Sequence, residues 1–413
     1  MKSSNHQIRI ALYSHDTLGL GHIRRNLAIA ASLVGWNQSI AVLLISGTQF
    51  APKLAPPTGV DFLTLPAIGK NTEDEYAAQH LPIHLHELLH LRSQIISSAL
   101  STFRPDILIA DKVPGGLLGE LLPTLKTLRQ SGATRCVLGL RDILDDPQTA
   151  TREWRNSHSA QIVKQFYDAV WIYGDPAIYN PMHEYAFLRH CAGKAHFTGY
   201  VCRSMPSNAG DSLRRDILTE LDLDTDRVAL CMVGGGQDGF LLAKTFVQAE
   251  LPRDSGAIVL TGPFMDESER RWLLELSRQR ARTRILSFTS TPEQLLAGAD
   301  WVVSMAGYNT TCEILAANKR ALLVPRVKPR LEQWIRADRL AQNGSISVLH
   351  PDSLSPTHIS EWLHRTASAP APLHSIDLHG LKRIPDLVNQ LISAPKPIRR
   401  HKSQPANHRL IGA

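Results

Sequence analysis

Short apolar runs alternate along this chain with longer stretches whose apolar positions recur every three to four residues. Runs of the first kind read as buried strands, the second as amphipathic helices. Ile8–Ser14 predicts a first strand, and a helix is expected from about His22 to Leu33. Strands follow at Ile40–Ser46, Val60–Leu65, Asp106–Asp111, Cys136–Leu140 and Ala169–Tyr173, with helices at Leu81–Leu100, Gly115–Arg129 and Ala150–Phe166. The pattern then restarts. Strands are expected at Val228–Val233, Ile258–Thr261, Ile285–Phe288, Trp301–Ser304, Ala321–Pro325 and Ile346–Leu349. Helices are expected at Asp238–Gln248, Glu267–Arg280, Pro292–Ala299, Thr310–Asn318 and Leu331–Gln342. Alternation this long predicts the α/β class, with parallel sheets covered on both faces.

The two series are separated by Thr198–Asp211, whose Gly, Pro, Ser and Asn content reads as a connection. A chain of 413 residues with 43% hydrophobic content is globular and exceeds one core. The expected division is a domain over 1–200, a second over 201–395, and a tail over 396–413. Ligands of doubly wound sheets bind beyond the carboxyl ends of the strands. Two such domains facing each other would enclose a cleft between those ends.

Composition narrows the setting. No run of apolar residues reaches the length of about 18 that a membrane span requires. The polar start Met1–Gln7 lacks a signal core. Five scattered cysteines without a Cys-x-x-Cys pair suit a reduced, cytoplasmic protein and speak against structural zinc. His80, His84, His86 and His90 lie close together but without the acidic partner of a metal helix, so solvated histidines are expected and no metal. Part of the net charge of +7 sits in the tail, where Lys396, Arg399, Arg400, Lys402 and Arg409 meet no acid. That basic tail could touch a membrane surface. The aromatic-and-basic interleaving of an RNA-binding face is missing, and no nucleic acid partner is expected.

Three glycine segments carry the candidate chemistry. Ser304–Glu313 follows a strand and opens a helix, so the free N–H groups around Gly307, Asn309 and Thr310 form an anion site. Glu313, one turn beyond Asn309, could accept hydrogen bonds from ribose hydroxyls. Gly234, Gly235, Gly236 and Gln237 repeat the strand-glycine-helix arrangement as a second nest. In the first half, Gly19 and Gly21 precede His22 at a helix start. The positive helix end favours a neutral imidazole there, as a general base requires. Asp111 ends a strand on the same expected edge and could fix the tautomer of His22. Arg24 and Arg25 follow on the same turn, and one of them, Arg24 foremost, could meet an anionic substrate. Arg141, Asp142, Asp145 and Asp146 are further candidates for acceptor contacts. Glu332 and Gln333 offer adjacent acceptors and donors suited to sugar hydroxyls.

Together these segments resemble the GT-B glycosyltransferases, in particular the group around glycosyltransferase family 28 and the MurG-type transferases. Gly19-Leu-Gly-His22 is similar to the Gly-x-Gly-His loop of their acceptor-binding first domain. Gly307-Tyr-Asn-Thr-Thr-Cys-Glu313 resembles the Gly-Trp-Asn-Ser-x-x-Glu core of the donor signature. Met305 departs from it where many UDP-sugar enzymes place a phosphate-binding histidine, and Gly236 replaces a serine of the MurG-type loop. The resemblance implies a GT-B fold of two facing Rossmann-like domains. It implies an inverting, metal-independent transfer from a UDP-sugar to an acceptor hydroxyl, the acceptor being a glycan, a lipid-linked sugar or a small molecule. His22 and Asp111 would be catalytic. The nucleotide-sugar would be a co-substrate, no cofactor is expected, and peripheral contact with the inner membrane face is compatible with it. Nucleotide-sugar epimerases and hydrolases share this fold and form the alternative.

Overall fold

The computed structural model describes residues 7–15, 20–51, 54–70, 75–203, 210–367 and 375–395. The first series builds strands β1 (Ile8–Ser14), β2 (Ile40–Ser46), β3 (Val60–Thr64), a hairpin of β4 (Ile68–Lys70) and β5 (Tyr76–Ala78), then β6 (Ile107–Asp111), β7 (Arg135–Arg141), β8 (Ala169–Tyr173) and β9 (Ala195–Phe197). Seven of them form one sheet in the order β3-β2-β1-β6-β7-β8-β9, every neighbouring pair parallel. The second series supplies β10 (Arg227–Met232), β11 (Ser255–Leu260), β12 (Thr283–Leu286), β13 (Trp301–Ser304), β14 (Arg320–Leu323) and β15 (Ser347–Val348). Their parallel order is β12-β11-β10-β13-β14-β15.

Both sheets reverse direction of growth at one place. In the first, the chain moves outward from β1 through β2 and β3, then returns to lay β6 on the other side of β1. In the second it moves from β10 through β11 and β12, then returns to lay β13 beside β10. Loops leaving the two strands at such a reversal diverge, which opens a crevice at their carboxyl ends. Asp111 is the last residue of β6, and His22 lies at the start of the helix that follows β1. The loops after β10 and β13 carry the glycines at 234–236 and 307.

Burial explains the strand composition. All five residues of β6 and of β8 are buried, as helices on both faces of a parallel sheet require. The connection expected over Thr198–Asp211 ends in a helix, Gly210–Glu220, and part of it lies outside the described residues. The helix expected over Gly115–Arg129 is interrupted. Gly116, Leu118 and Gly119 have φ of 73°, 48° and 87°, and only Leu122–Ser131 forms a regular helix. Ala150–Phe166 splits at His158 into two helices, Pro147–Asn156 and Ser159–Phe166.

The last helix, Gly380–Ser393, falls within the span assigned to the second domain yet packs on the first. Ile384, Leu387 and Val388 join the apolar cluster of Ile10, Leu27 and Ile29, and Ser32 Oγ donates to Leu381 O at 2.6 Å. Its apolar face finds there the uncovered side of the helix Gly21–Trp36. No helix among the described residues is long and apolar enough to cross a membrane. The tail 396–413 lies outside them.

Beneath the β1 end, a buried polar knot fixes the helix Leu85–Phe103 to the turn at residues 117–121. Arg92 and Glu120 are joined by bonds of 2.6 and 2.8 Å with both side chains inaccessible, Tyr13 Oη donates to Glu120 at 2.5 Å, and Arg92 Nη1 reaches Pro66 O at 2.6 Å. Removing one partner of such a pair leaves a buried charge uncompensated. Arg92→Met is therefore expected to lower the stability of the first domain by about 3–5 kcal/mol in denaturant unfolding. A loss below about 1 kcal/mol would mean the pair is solvated.

Candidate functional site

His22 is the second residue of the helix Gly21–Trp36, whose first turn lacks acidic side chains and a capping side chain. Its Nδ1 lies 2.8 Å from Asp111 Oδ2, across the β1–β6 reversal. Asp111 is wholly buried at the end of β6. Arg25, one turn beyond His22, places Nη2 2.7 Å from Oδ1 and 2.6 Å from Oδ2 of the same carboxylate. Burial would raise the Asp111 carboxyl, but the Arg25 guanidinium and then His22 outweigh it and hold the group well below the usual carboxylate range. An ionised Asp111 only accepts hydrogen bonds. A neutral His22 that donates Nδ1–H to it carries its lone pair on Nε2, the arrangement of an oriented base.

Along the chain Arg25 reads only as a possible contact of an anionic substrate, and His15 carries no signal. Arg25 is 86 positions from Asp111, so only the fold reveals the pair. His15 follows the last residue of β1, and its ring centroid is 5.0 Å from that of His22. Burial, then the neighbouring charges of His22 and Lys112, push the His15 imidazole well below its ordinary value. His15 thus stands as a neutral wall beside His22. Gly19 lies outside the described residues.

Opposite stands the β10–β13 reversal. Gly307 caps the helix Tyr308–Ala316 without a side-chain bond, and a Cβ added to it would meet nothing within 4 Å. Space is equally open above Gly234, whose φ is 66°. Gly236 has φ of 100°, and a Cβ there would fall 2.4 Å from Thr261 O. The second nest therefore needs glycine for its own turn and packing. Open space thus lies over Gly234 and Gly307, whereas a Cβ on Gly235 would lie 3.3 Å from the Phe264 ring and Gly236 N donates to Val233 O at 3.3 Å. Gln237 is exposed at the end of the nest. Met305 packs partly into the second-domain core.

The two sides touch. Asn309 Nδ2 donates to Gly21 O at 2.9 Å, one residue from the imidazole. Thr310 follows it, half-buried, in the first turn of the same helix. Arg24 Nη2 lies 3.5 Å from Glu313 Oε1, while Glu313 Oε2 is buried with no hydrogen bond. Burial raises the Glu313 carboxyl, opposed by Arg24. Glu332 is bound by Arg141 Nη2 at 2.9 Å and Arg326 Nη2 at 3.2 Å, and Gln333 Oε1 accepts from Arg326 N at 3.3 Å.

Three further acids expected near an acceptor have partners within the protein. Asp142 is buried and accepts from Tyr200 Oη at 2.7 Å. Asp145 holds Arg330 and the Leu331 N–H of the second domain at 3.1 and 2.8 Å. Asp146 caps the helix Pro147–Asn156. Each of these three carboxylates is held by donors of the protein itself, as Glu332 is. Among the described residues, no three His, Cys, Asp or Glu side chains converge as metal ligands.

Comparison with known proteins places this arrangement. Residues 230–390 match the glycosyltransferase family 28 C-terminal domain. A UDP-N-acetylglucosamine--N-acetylmuramyl-(pentapeptide) pyrophosphoryl-undecaprenol N-acetylglucosamine transferase of Clavibacter michiganensis subsp. michiganensis is 26% identical over 48% of this chain. The match spans 58% of that relative, under two thirds of its length. Among solved structures, the kitacinnamycin glycotransferase superposes with a TM-score of 0.61 at 14% identity, covering 94% of this chain and 100% of the other. Medicago truncatula UGT71G1 complexed with UDP-glucose gives 0.59 at 12%, over 95% and 100%. Acinetobacter baumannii MurG gives 0.56 at 15%, over 93% and 99%. These likenesses establish the GT-B fold.

The buried carboxylate sets a pH dependence. Asp111 has a lower pKa folded than unfolded, so its contribution is complete above the unfolded value of about 4 and is lost as pH falls toward the folded one. Asp111→Asn leaves Arg25 buried without a counter-charge and is expected to cost about 3–5 kcal/mol at neutral pH. The melting-temperature gap to wild type should hold from about pH 6 to 8 and narrow below about pH 4. A gap independent of pH would show that Asp111 is not ionised in the fold.

Proposed function

We propose, from the match of residues 230–390 to the glycosyltransferase family 28 C-terminal domain and from the GT-B fold of the chain, that it is an enzyme that transfers a sugar from a nucleotide-sugar to an acceptor hydroxyl. The donor is a UDP-sugar, and the transfer is inverting and metal-independent. One observation carries this reading: the His22–Asp111–Arg25 chain at one sheet reversal touches, through Gly21 and Asn309, the open helix start at the other.

In the proposed mechanism the donor diphosphate rests on the main-chain N–H groups at Gly234–Gln237 and Gly307–Thr310. The amides and the helix dipole stabilise the charge that develops as the bond between the anomeric carbon and the diphosphate oxygen breaks. Glu313 takes ribose hydroxyls on its unpartnered Oε2, and Arg24 turns from Glu313 toward the diphosphate. Glu332 and Gln333 address the sugar hydroxyls. His22 Nε2 accepts the acceptor hydroxyl proton while that oxygen bonds to the anomeric carbon from the face opposite the leaving group. Asp111 then stabilises the imidazolium, and nucleoside diphosphate departs. Five buried free cysteines support a reducing, cytoplasmic setting.

Thermal-shift screening of UDP-, GDP- and dTDP-sugars tests the donor, because a ligand of the native state raises its melting temperature. UDP-sugars are expected to stabilise the chain most. With the stabilising donor and a panel of glycan, lipid-linked and small hydroxylic acceptors, His22→Ala should lower transfer by about 10²–10⁴-fold while UDP binding stays within about twofold. Undiminished transfer would remove His22 from the base role. Glu313→Ala should weaken UDP binding by about tenfold in calorimetry, the loss of charge-assisted ribose hydrogen bonds. Unaltered binding would refute the ribose contact.

A further inference from the structure

The mechanism leaves Lys112 unused. This residue follows Asp111 at the end of β6, and its backbone is left-handed, with φ of 68°. A side chain with a Cβ is disfavoured there, and such outliers collect at ligand clamps. Lys112 N donates to Gly139 O at 2.8 Å, so the strained turn stays on the edge of β7, whose last residue is Arg141.

The ammonium is half-buried and has no ion-pair partner among the described residues. Four charged side chains act on it electrostatically, and each is already committed. Arg141 and Glu332 bind each other at 2.9 Å, Glu332 also takes Arg326, and Arg330 holds Glu153 at 2.6 Å. Burial and then Arg141 push the Lys112 amine down against the pull of Glu332. Arg330 adds to the push and Glu153 to the pull, leaving it at about 8. At neutral pH it is still mostly cationic. Arg141 brings a second unused donor, because its Nε is buried without a hydrogen bond. The sugar end of the cleft thus holds one unpaired cation and a spare guanidinium N–H beside Glu332.

We infer that Lys112 and Arg141 read a carboxylate on the transferred sugar, so that the donor is a nucleotide-linked acidic sugar. The inference rests on the reading of Glu332 and Gln333 as the sugar end of a donor site. An anion there would accept charge-assisted hydrogen bonds from both groups. A neutral hydroxymethyl group would leave the partly desolvated ammonium without a counter-charge, and a site built for a polar partner discriminates strongly against a substrate lacking it.

Calorimetry with matched pairs tests this: UDP-glucuronate against UDP-glucose, UDP-galacturonate against UDP-galactose, GDP-mannuronate against GDP-mannose, each beside the free nucleoside diphosphate. Wild type should prefer the acidic member of at least one pair by about 10- to 100-fold. Lys112→Met should reduce that preference to within about threefold and keep the affinity for UDP or GDP alone. Raising the pH from 7 to 9 should erode the wild-type preference as the ammonium deprotonates. Equal affinity within every pair, with nucleotide binding intact, overturns the inference and leaves the proposed function standing. Equal weakening of both members and of the free diphosphate by Lys112→Met would assign Lys112 to the diphosphate and overturn it as well. Failure of every nucleotide to bind would overturn the donor reading and this inference with it.

Discussion

The structure turns on one buried carboxylate. Asp111 ends β6 with no exposure to solvent, and it stays ionised only because Arg25 covers both of its oxygens and His22 closes on one of them. An isolated carboxylate in such a place would be neutral. Arg25 in turn packs over two aromatic rings, Tyr173 of the first sheet at 5.6 Å and Tyr308 of the second domain at 5.3 Å. Tyr308 is the first residue of the helix capped by Gly307. Its hydroxyl donates to Tyr173 O at 3.0 Å and accepts from Val201 N at 3.0 Å. The same side chain that opens the anion-binding helix therefore secures the guanidinium that charges Asp111.

That coupling explains why the domain interface is continuous with a core. Tyr308, Cys312 and Leu315 belong to the apolar cluster of the first sheet, as does the returning helix Gly380–Ser393. Around this dry centre the contacts are ionic: Arg141 with Glu332, Arg330 with Asp145 and Glu153, Arg24 with Glu313. The apolar centre holds the lobes in register. Glu313 is held least tightly of these carboxylates, with one oxygen at 3.5 Å from Arg24 and the other buried and unpaired.

Much of the architecture was legible along the chain, for a physical reason. Strands buried on both faces leave uninterrupted apolar runs, so Ile8–Ser14, Ile40–Ser46, Ala169–Tyr173 and Trp301–Ser304 have the limits their composition suggests. The three-residue strands of the β4–β5 hairpin leave no such run. The break after Gly115 depends on left-handed residues, and Leu118 is not a residue that announces one. For the site, the glycine turns and His22 declare themselves because helix starts after strands have a local signature. Arg25, His15 and Lys112 do not, since their surroundings come from a partner 86 positions away, from a neighbouring ring, or from charges of distant segments.

The most direct measurement is a crystal structure of the chain with UDP. The account expects diphosphate oxygens about 3 Å from main-chain nitrogens at Gly234–Gln237 and at the start of the Tyr308–Ala316 helix, with ribose on Glu313 and His22 Nε2 facing the phosphate-bearing cleft. UDP bound elsewhere, or an imidazole turned away from the nucleotide with its bond to Asp111 broken, would contradict it.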